Sequence, residues 1–237
     1  MGKPYHSYTY KDPFWFKRWL HQRRFTDALK LLDLKEVDKL LDYGCGDGYF
    51  LKVCADQTNN RNLYGYEPAE VMIDHARKIL NNRPAEVYQS IADLPEKKFS
   101  KIACLETGEH LTDEDLGRLF QTTRALLADN GRMVISVPVE TGLPALVKNG
   151  YRLLTRKKYD NLNFKNYLRS ILGLAIFRPV SQIDDGVDYY FSHVGFDHRK
   201  FEKQLKQHFS VEKKQPTPVF WLRDGLNNTI YYIVKPL

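Results

Sequence analysis

Apolar positions along this chain recur in two periods. Short continuous apolar runs alternate with stretches whose apolar residues stand three or four apart; the first pattern predicts strands and the second helices. Leu40 to Tyr43 is a short run that ends in glycines, as a strand buried in a parallel sheet does. Phe50 to Ala55 then reads as helix, Leu63 to Tyr66 as strand and Val71 to Leu80 as helix. Further strands are expected at Glu86 to Gln89 and Ile102 to Leu105. Thr112 with Asp115 resembles a capping box, aspartate standing for the usual glutamate, and opens a helix through Leu127. Asn130-Gly131 is expected to stop that helix before a strand from Met133 to Val137.

Phe209 to Gln215 and Ile230 to Val234 supply two more strands, closed by Pro236. The alternation predicts an α/β fold: a seven-stranded, mostly parallel sheet with helices on both faces. Apolar positions from Trp15 to Leu32 follow helical spacing, so residues 1–35 read as an N-terminal helical cap rich in aromatic and basic side chains. After the fifth strand the rhythm breaks, and residues 143–190 read as a helical insertion. Residues 1–237 are expected to form one domain without internal repeats.

Composition changes this picture little. With 43% hydrophobic, 13% aromatic and 27% charged residues, the chain is neither disordered nor fibrous and can bury a sizeable core. No stretch reaches the roughly 18 apolar residues of a membrane span, and the first ten residues lack an apolar signal region. Cys45, Cys54 and Cys104 show no metal-binding spacing and leave an odd thiol, so a reducing, cytoplasmic setting is expected.

Charge changes it more. Between Leu143 and Arg178 stand eight basic residues (Lys148, Arg152, Arg156, Lys157, Lys158, Lys165, Arg169, Arg178) and one acid, Asp160. That excess equals the formal net charge of the whole chain, +7. The protein is a neutral body with one basic insert, and any encounter with an anionic partner should be local.

The sharpest chemical signal is Leu40-Leu41-Asp42-Tyr43-Gly44-Cys45-Gly46-Asp47-Gly48, a strand running into a turn with glycine at every second position and then into a helix. Such glycines let a ligand lie against bare backbone at the carboxyl edge of an α/β sheet. The nicotinamide fingerprint G-x-G-x-x-G fails in both registers, at Tyr49 and at Leu51, and no P-loop is present. Nineteen positions after Gly48, the second strand ends in Glu67-Pro68, placed to accept both ribose hydroxyls of a nucleoside. Ile91-Ala92-Asp93-Leu94-Pro95 follows the third strand and suits an acceptor for an adenine amino group.

These three pieces closely resemble motifs of the class I S-adenosylmethionine-dependent methyltransferases, over about Arg24 to Val137 and again near His193. The resemblance implies a Rossmann-like sheet and S-adenosylmethionine as cofactor. It implies that Gly44, Cys45 and Gly46 hold the methionine part, Glu67 the ribose, and Asp93 with Leu94 the adenine, with Asp42, Pro68 and Leu105 beside them. In ubiquinone-type O-methyltransferases an arginine near the position of Arg24 pairs with the cofactor carboxylate; a solvated arginine on a helix is the other reading.

Glu106-Thr107-Gly108-Glu109-His110 follows the fourth strand. Methyl transfer to a hydroxyl needs a base or a Lewis acid, because the hydroxyl is protonated at pH 7. His110 could serve as base, with Glu109 and His193 as further candidates, or Glu106, Glu109 and His110 could hold a divalent cation, Mg2+ or Zn2+. The pattern is similar to that of the ubiquinone-type O-methyltransferases and the small-RNA 2′-O-methyltransferases, while Glu-His at this place also serves in loop orientation alone. His193 could be a fourth ligand, a second base or a structural cap. No Asn/Asp-Pro-Pro-Tyr and no Pro-Cys occurs, which disfavours transfer to exocyclic nitrogen or to cytosine carbon and leaves oxygen as the expected acceptor.

In the insert, Leu146, Val147, Tyr151 and Leu154 fall on one helical face, and Phe164, Tyr167, Leu168, Ile171, Leu172 and Ala175 on another. The basic residues lie outside both stripes, a pattern suited to peripheral contact with the inner face of a membrane and to a small or lipid-linked hydroxyl acceptor. Packing of the stripes on the sheet edge, and nucleic-acid binding by the charges, are the competing readings. The expected activity is O-methylation; the alternatives are an RNA 2′-O-methyltransferase and a non-catalytic binding module of the same fold.

Overall fold

The computed structural model describes residues 15–155, 161–182, 188–219 and 224–237, with side chains from Arg23 onward. The cap's aromatic side chains (Tyr5 to Trp19), and Arg156, Lys157, Lys158 and Asp160 of the insert, lie outside the described residues. Helix α1 spans Trp15–Leu32. Then follow β1 (Leu40–Tyr43), α2 (Tyr49–Gln57), β2 (Leu63–Tyr66), α3 (Glu70–Ile79), β3 (Ala85–Tyr88), β4 (Phe99–Leu105), α4 (Asp113–Leu126) and β5 (Leu127–Pro138). The insert contributes α5 (Gly142–Leu154), α6 (Phe164–Ile171), β6 (Ser181–Gln182) and β7 (Asp188–Tyr189), and the chain ends in α7 (His198–Leu205), β8 (Phe209–Thr217) and β9 (Thr229–Pro236).

Seven strands form one sheet in the order β3-β2-β1-β4-β5-β9-β8. Strand β1 pairs in parallel with β2 (Leu40 opposite Leu63) and with β4 (Leu40 opposite Lys101), and β2 pairs in parallel with β3. The order is that of a Rossmann-like sheet, and these pairings are the parallel ones expected from the alternation. Parallel pairing needs a crossover between strands, which α2 and α3 supply, and it sends the carboxyl ends of β1, β2 and β4 to one edge.

By contact the chain divides into two compact units: residues up to 105 with 122–135 and 233–236, and residues 106–121 with 136–232 and 237. The first buries Leu40, Leu41, Leu51, Leu63, Phe99 and Ile102 completely or nearly so. The second is built on an aromatic cluster in which Phe120 meets Phe201 at 5.5 Å and Phe209 at 6.2 Å, and Phe201 meets Tyr232 at 6.0 Å. All three cysteines are buried and none is in a disulfide. Among the described residues no helix is long and apolar enough to cross a membrane.

Three local expectations are corrected. Asn130-Gly131 lies inside β5 and stops nothing. A Cβ on Gly131 would come within 2.7 Å of Leu127 Cδ1, so the glycine serves a close approach instead. Pro236 is the last residue of β9, not the residue after it. The insert is not wholly helical: β6 and β7 pair as a two-stranded antiparallel sheet, each strand too short to leave a periodic trace.

Candidate functional site

Two groups of predicted residues can be built upward from their elements, one in each unit. The first is the turn after β1. Gly44, Gly46 and Gly48 have φ of 77°, 54° and 76°, a left-handed conformation that glycine alone adopts without strain. Gly44 N and Cys45 N both donate to the Tyr66 carbonyl, at 2.8 and 3.0 Å, which locks the turn onto the end of β2. The glycines then differ in purpose. A Cβ on Gly48 would lie 3.0 Å from Ala76 Cβ, so Gly48 lets α3 pack close. A Cβ on Gly46 would meet nothing within 4 Å, so bare backbone there borders open space.

Glu67 is bound to this turn. Its Oε2 accepts from Gly46 N and its Oε1 from Ala69 N, each at 3.0 Å. Burial raises the Glu67 pKa above the ordinary carboxylate value, and the two backbone N–H groups pull it back. Asp42 at the end of β1 is buried, and desolvation with the Glu67 and Asp47 charges pushes its pKa up to about 8. Three carboxylates crowd one turn, an environment that a cationic ligand would relieve.

The remaining predicted residues of this group are spread more widely. Pro68 accepts from Gln89 Nε2 at 3.1 Å, tying the end of β2 to that of β3. Asp93 is exposed on a single 3-10 turn, Ile91–Asp93, that Ser90 caps, while Leu94 after it is buried. Leu105 ends β4, and Cys45 is buried in the turn. Arg24 is half-buried on α1, next to Phe25, whose ring lies 5.8 Å from Tyr49 and 5.6 Å from Phe50 at the start of α2.

The second group follows β4. Glu106 takes a left-handed φ of 54°, rare for a residue with a side chain and typical of functional turns. Its Oε1 accepts from Ser136 Oγ at 3.3 Å. The chain then makes a single 3-10 turn, Gly108–His110. Glu109 is fully buried, and its Oε1 lies 3.9 Å from both His110 Nε2 and His193 Nε2. The two Nε2 atoms are 3.1 Å apart. Glu109, His110 and His193 thus offer three metal-ligand atoms all within 4.8 Å of one another, a group that Glu106 does not join.

Partners from the insert hold this group in place. His110 Nδ1 lies 2.7 Å from the Tyr190 carbonyl, which can only accept, so Nδ1 carries the proton and Nε2 the lone pair. The Tyr189 ring stacks on His110 at 4.6 Å and 4°. The Arg178 guanidinium lies 4.1 Å from the Tyr190 ring centre and donates to the carbonyls of Glu109 (2.5 Å) and Ser192 (3.0 Å), the neighbours of the two histidines. Burial lowers the His110 pKa to about 4, the Arg178 charge adding to it, and burial with His110 beside it lowers His193 to about 3. Both rings are neutral at pH 7, the form that binds a metal or accepts a hydrogen bond.

Buried Glu140 completes the surroundings. It pairs with Lys148 at 3.2 Å and Arg152 at 2.8 Å, and these cations, against the opposing effect of burial, bring its pKa down to about 2. Tyr189, Tyr190, Arg178 and Glu140 escape sequence reasoning because no local motif marks them. The paired tyrosines just before Ser192-His193 were the one available signal.

A divalent cation fits the trio by this geometry. Two neutral imidazoles and a carboxylate suit Zn2+ better than Mg2+, which prefers oxygen ligands.

A search of curated protein sequences finds no match. Solved structures do match the fold. A protein from Pyrococcus horikoshii OT3 has 15% identity and TM-score 0.62, covering 98% of this chain and 96% of its own. A S-adenosylmethionine-dependent methyltransferase from Clostridium acetobutylicum ATCC 824 has 15% identity and TM-score 0.59, covering 98% and 96%. Magnesium protoporphyrin IX methyltransferase from Synechocystis PCC 6803, solved with bound S-adenosylhomocysteine, has 17% identity and TM-score 0.58, covering 98% and 92%. A sequence family described as "Methyltransferase domain" matches residues 16–171, well over half of the chain. With its glycine turn, acidic second-strand tip and sheet order all of one type, the chain belongs to the methyltransferase domain family and has the class I, S-adenosylmethionine-dependent methyltransferase fold.

Proposed function

We propose that the protein is a S-adenosylmethionine-dependent methyltransferase acting on oxygen, with a small or lipid-linked hydroxyl as acceptor. The observation that carries the oxygen reading is the state of His110: with Nδ1–H held by the Tyr190 carbonyl, its Nε2 carries a lone pair 3.1 Å from His193 Nε2. A hydroxyl must shed its proton as it attacks, and a methyl acceptor that displaces the His193 N–H from the His110 Nε2 lone pair would hydrogen-bond to it instead.

S-adenosylmethionine supplies an electrophilic methyl group on a sulfonium leaving group. The chain's residues have separate duties toward it. Asp42, buried beside Glu67 and protonated at neutral pH until a cation draws near, makes the turn receptive to positive charge, and each Glu67 oxygen keeps a lone pair for a ribose hydroxyl beyond the backbone bond it accepts. Gly46 leaves room for the methionine part, Arg24 pairs with the cofactor carboxylate, and Asp93 receives the adenine amino group. With a divalent cation held by Glu109, His110 and His193, the His110 lone pair would be committed to the metal, and Lewis-acid activation of the hydroxyl would take the place of the base.

Calorimetry with S-adenosylmethionine tests the reading. Micromolar binding is expected, weakened about tenfold or more by Glu67→Gln, which trades a charged acceptor for a neutral amide. No binding at millimolar cofactor would refute it. A methyl-acceptor screen with labelled cofactor then separates oxygen from nitrogen products.

A further inference from the structure

The insert is built inside out. Its two helices meet through polar and small residues: Asn149 Nδ2 donates to Ser170 Oγ at 3.1 Å, and Tyr167 Oη to the Leu146 carbonyl at 3.4 Å. Arg152 reaches inward, donating to Asn149 Oδ1 at 2.7 Å as well as to Glu140. The apolar stripes consequently face water. Val147 is 70% exposed, Leu154 85%, Phe164 69% and Leu172 72%, with Leu143, Tyr151 and Phe177 exposed as well. Seven large apolar side chains exposed on one insert mark a contact site.

The charge left around this face selects the occupant. Lys148, Arg152 and Arg178 are neutralised or bound to carbonyls inside. Lys165 stands exposed on α6, and Arg169 on the same helix keeps its charge while donating to the Ala175 carbonyl at 2.9 and 2.6 Å; in sequence alone, Arg156, Lys157 and Lys158 against Asp160 add to this excess. A second copy of the chain meeting this face symmetrically would bring the same positive charges face to face. An apolar face with a cationic rim matches the interface of an anionic bilayer, where apolar side chains enter the acyl boundary and basic ones meet headgroup phosphates.

We propose that the outer face of α5 and α6 docks on an anionic lipid bilayer. The docking stands independently of the methyl-transfer reading. Co-sedimentation with vesicles tests it, comparing pure phosphatidylcholine with phosphatidylcholine containing about one-third phosphatidylglycerol. At least about tenfold greater partition onto the anionic vesicles is expected, lost as salt is raised to about 0.5 M. Val147→Glu with Phe164→Glu should lower it a further tenfold or so while leaving the melting temperature unchanged, because both side chains already face solvent. Recovery no greater on anionic than on neutral vesicles would overturn the proposal, as would full binding by the double variant. A dimer in sedimentation equilibrium that the same variant dissolves would assign the face to a second copy and overturn it too.

Discussion

At the scale of single residues, the cradle depends on backbone that no side chain may occupy. Gly46 shows this most directly, since its φ of 54° and the empty space beyond it act on different observables. Gly46→Ala should cost about 1–2 kcal/mol of stability through the left-handed conformation. It should weaken S-adenosylmethionine binding by more than that alone predicts, because the methyl group enters the space meant for ligand. Melting curves measure the first effect and calorimetry the second; wild-type cofactor affinity in a destabilised variant would dissociate them. The turn was legible in the sequence because glycines at alternate positions after an apolar strand have few other uses. The state of His110 was not legible. It depends on a carbonyl eighty positions away that touches it only once the chain has folded.

At the scale of elements, local chemistry predicted boundaries well where a cap or turn encodes them. Thr112 accepts from Asp115 N at 3.2 Å and so caps α4 as expected, while its hydroxyl, rather than the backbone N–H of a full capping box, donates to Asp115 Oδ2 at 2.6 Å. Thr112→Ala should therefore lower stability by about 1 kcal/mol, with Thr112→Asp restoring most of it. Thermal melting of the two variants checks the order, and equal loss in both would deny the cap. The helical period of α5 and α6 was equally plain, but not the face each would turn inward. Periodicity states which residues share a stripe; what waits opposite is decided elsewhere, here by Glu140 beyond the end of β5 and by Ser170 on α6. An apolar stripe is expected to turn inward, and in the insert a buried carboxylate's demand for two cations prevailed.

At the scale of the whole molecule, buried ionisable groups set the response to pH. His110 and His193 have folded pKa values of about 4 and 3 against an ordinary 6.5, so as pH falls below 6.5 the unfolded chain takes up protons that the folded chain refuses. Glu140, lowered from 4.5 to about 2, adds loss in the same direction below pH 4.5. Asp42 opposes them. Its folded value of about 8 against 3.8 means that the folded chain holds the extra proton, so stability falls as pH rises between those values. Two histidines, joined by His198, which burial also lowers, outweigh the aspartate below 6.5; above it the aspartate prevails, Glu67 working in the same direction as far as burial raises it. Stability of the metal-free protein should therefore peak near pH 6.5, with slopes on the order of 1 kcal/mol per pH unit on either side. Melting temperatures across pH 4 to 9 would show the peak, and a monotonic profile would contradict it.

Glu140 has one more consequence. Its negative charge raises the proton affinity of His193, while Lys148 and Arg152 lower it, and both cations belong to α5. Lifting that helix away would remove the cations and leave the carboxylate, so the imidazole would drift back toward ordinary basicity. Thermodynamic reciprocity demands the converse: a proton or ion captured at His193 must alter how firmly α5 is seated. The apolar outer surface and the histidine pair are thus two ends of a single electrostatic lever, with its fulcrum at one carboxylate.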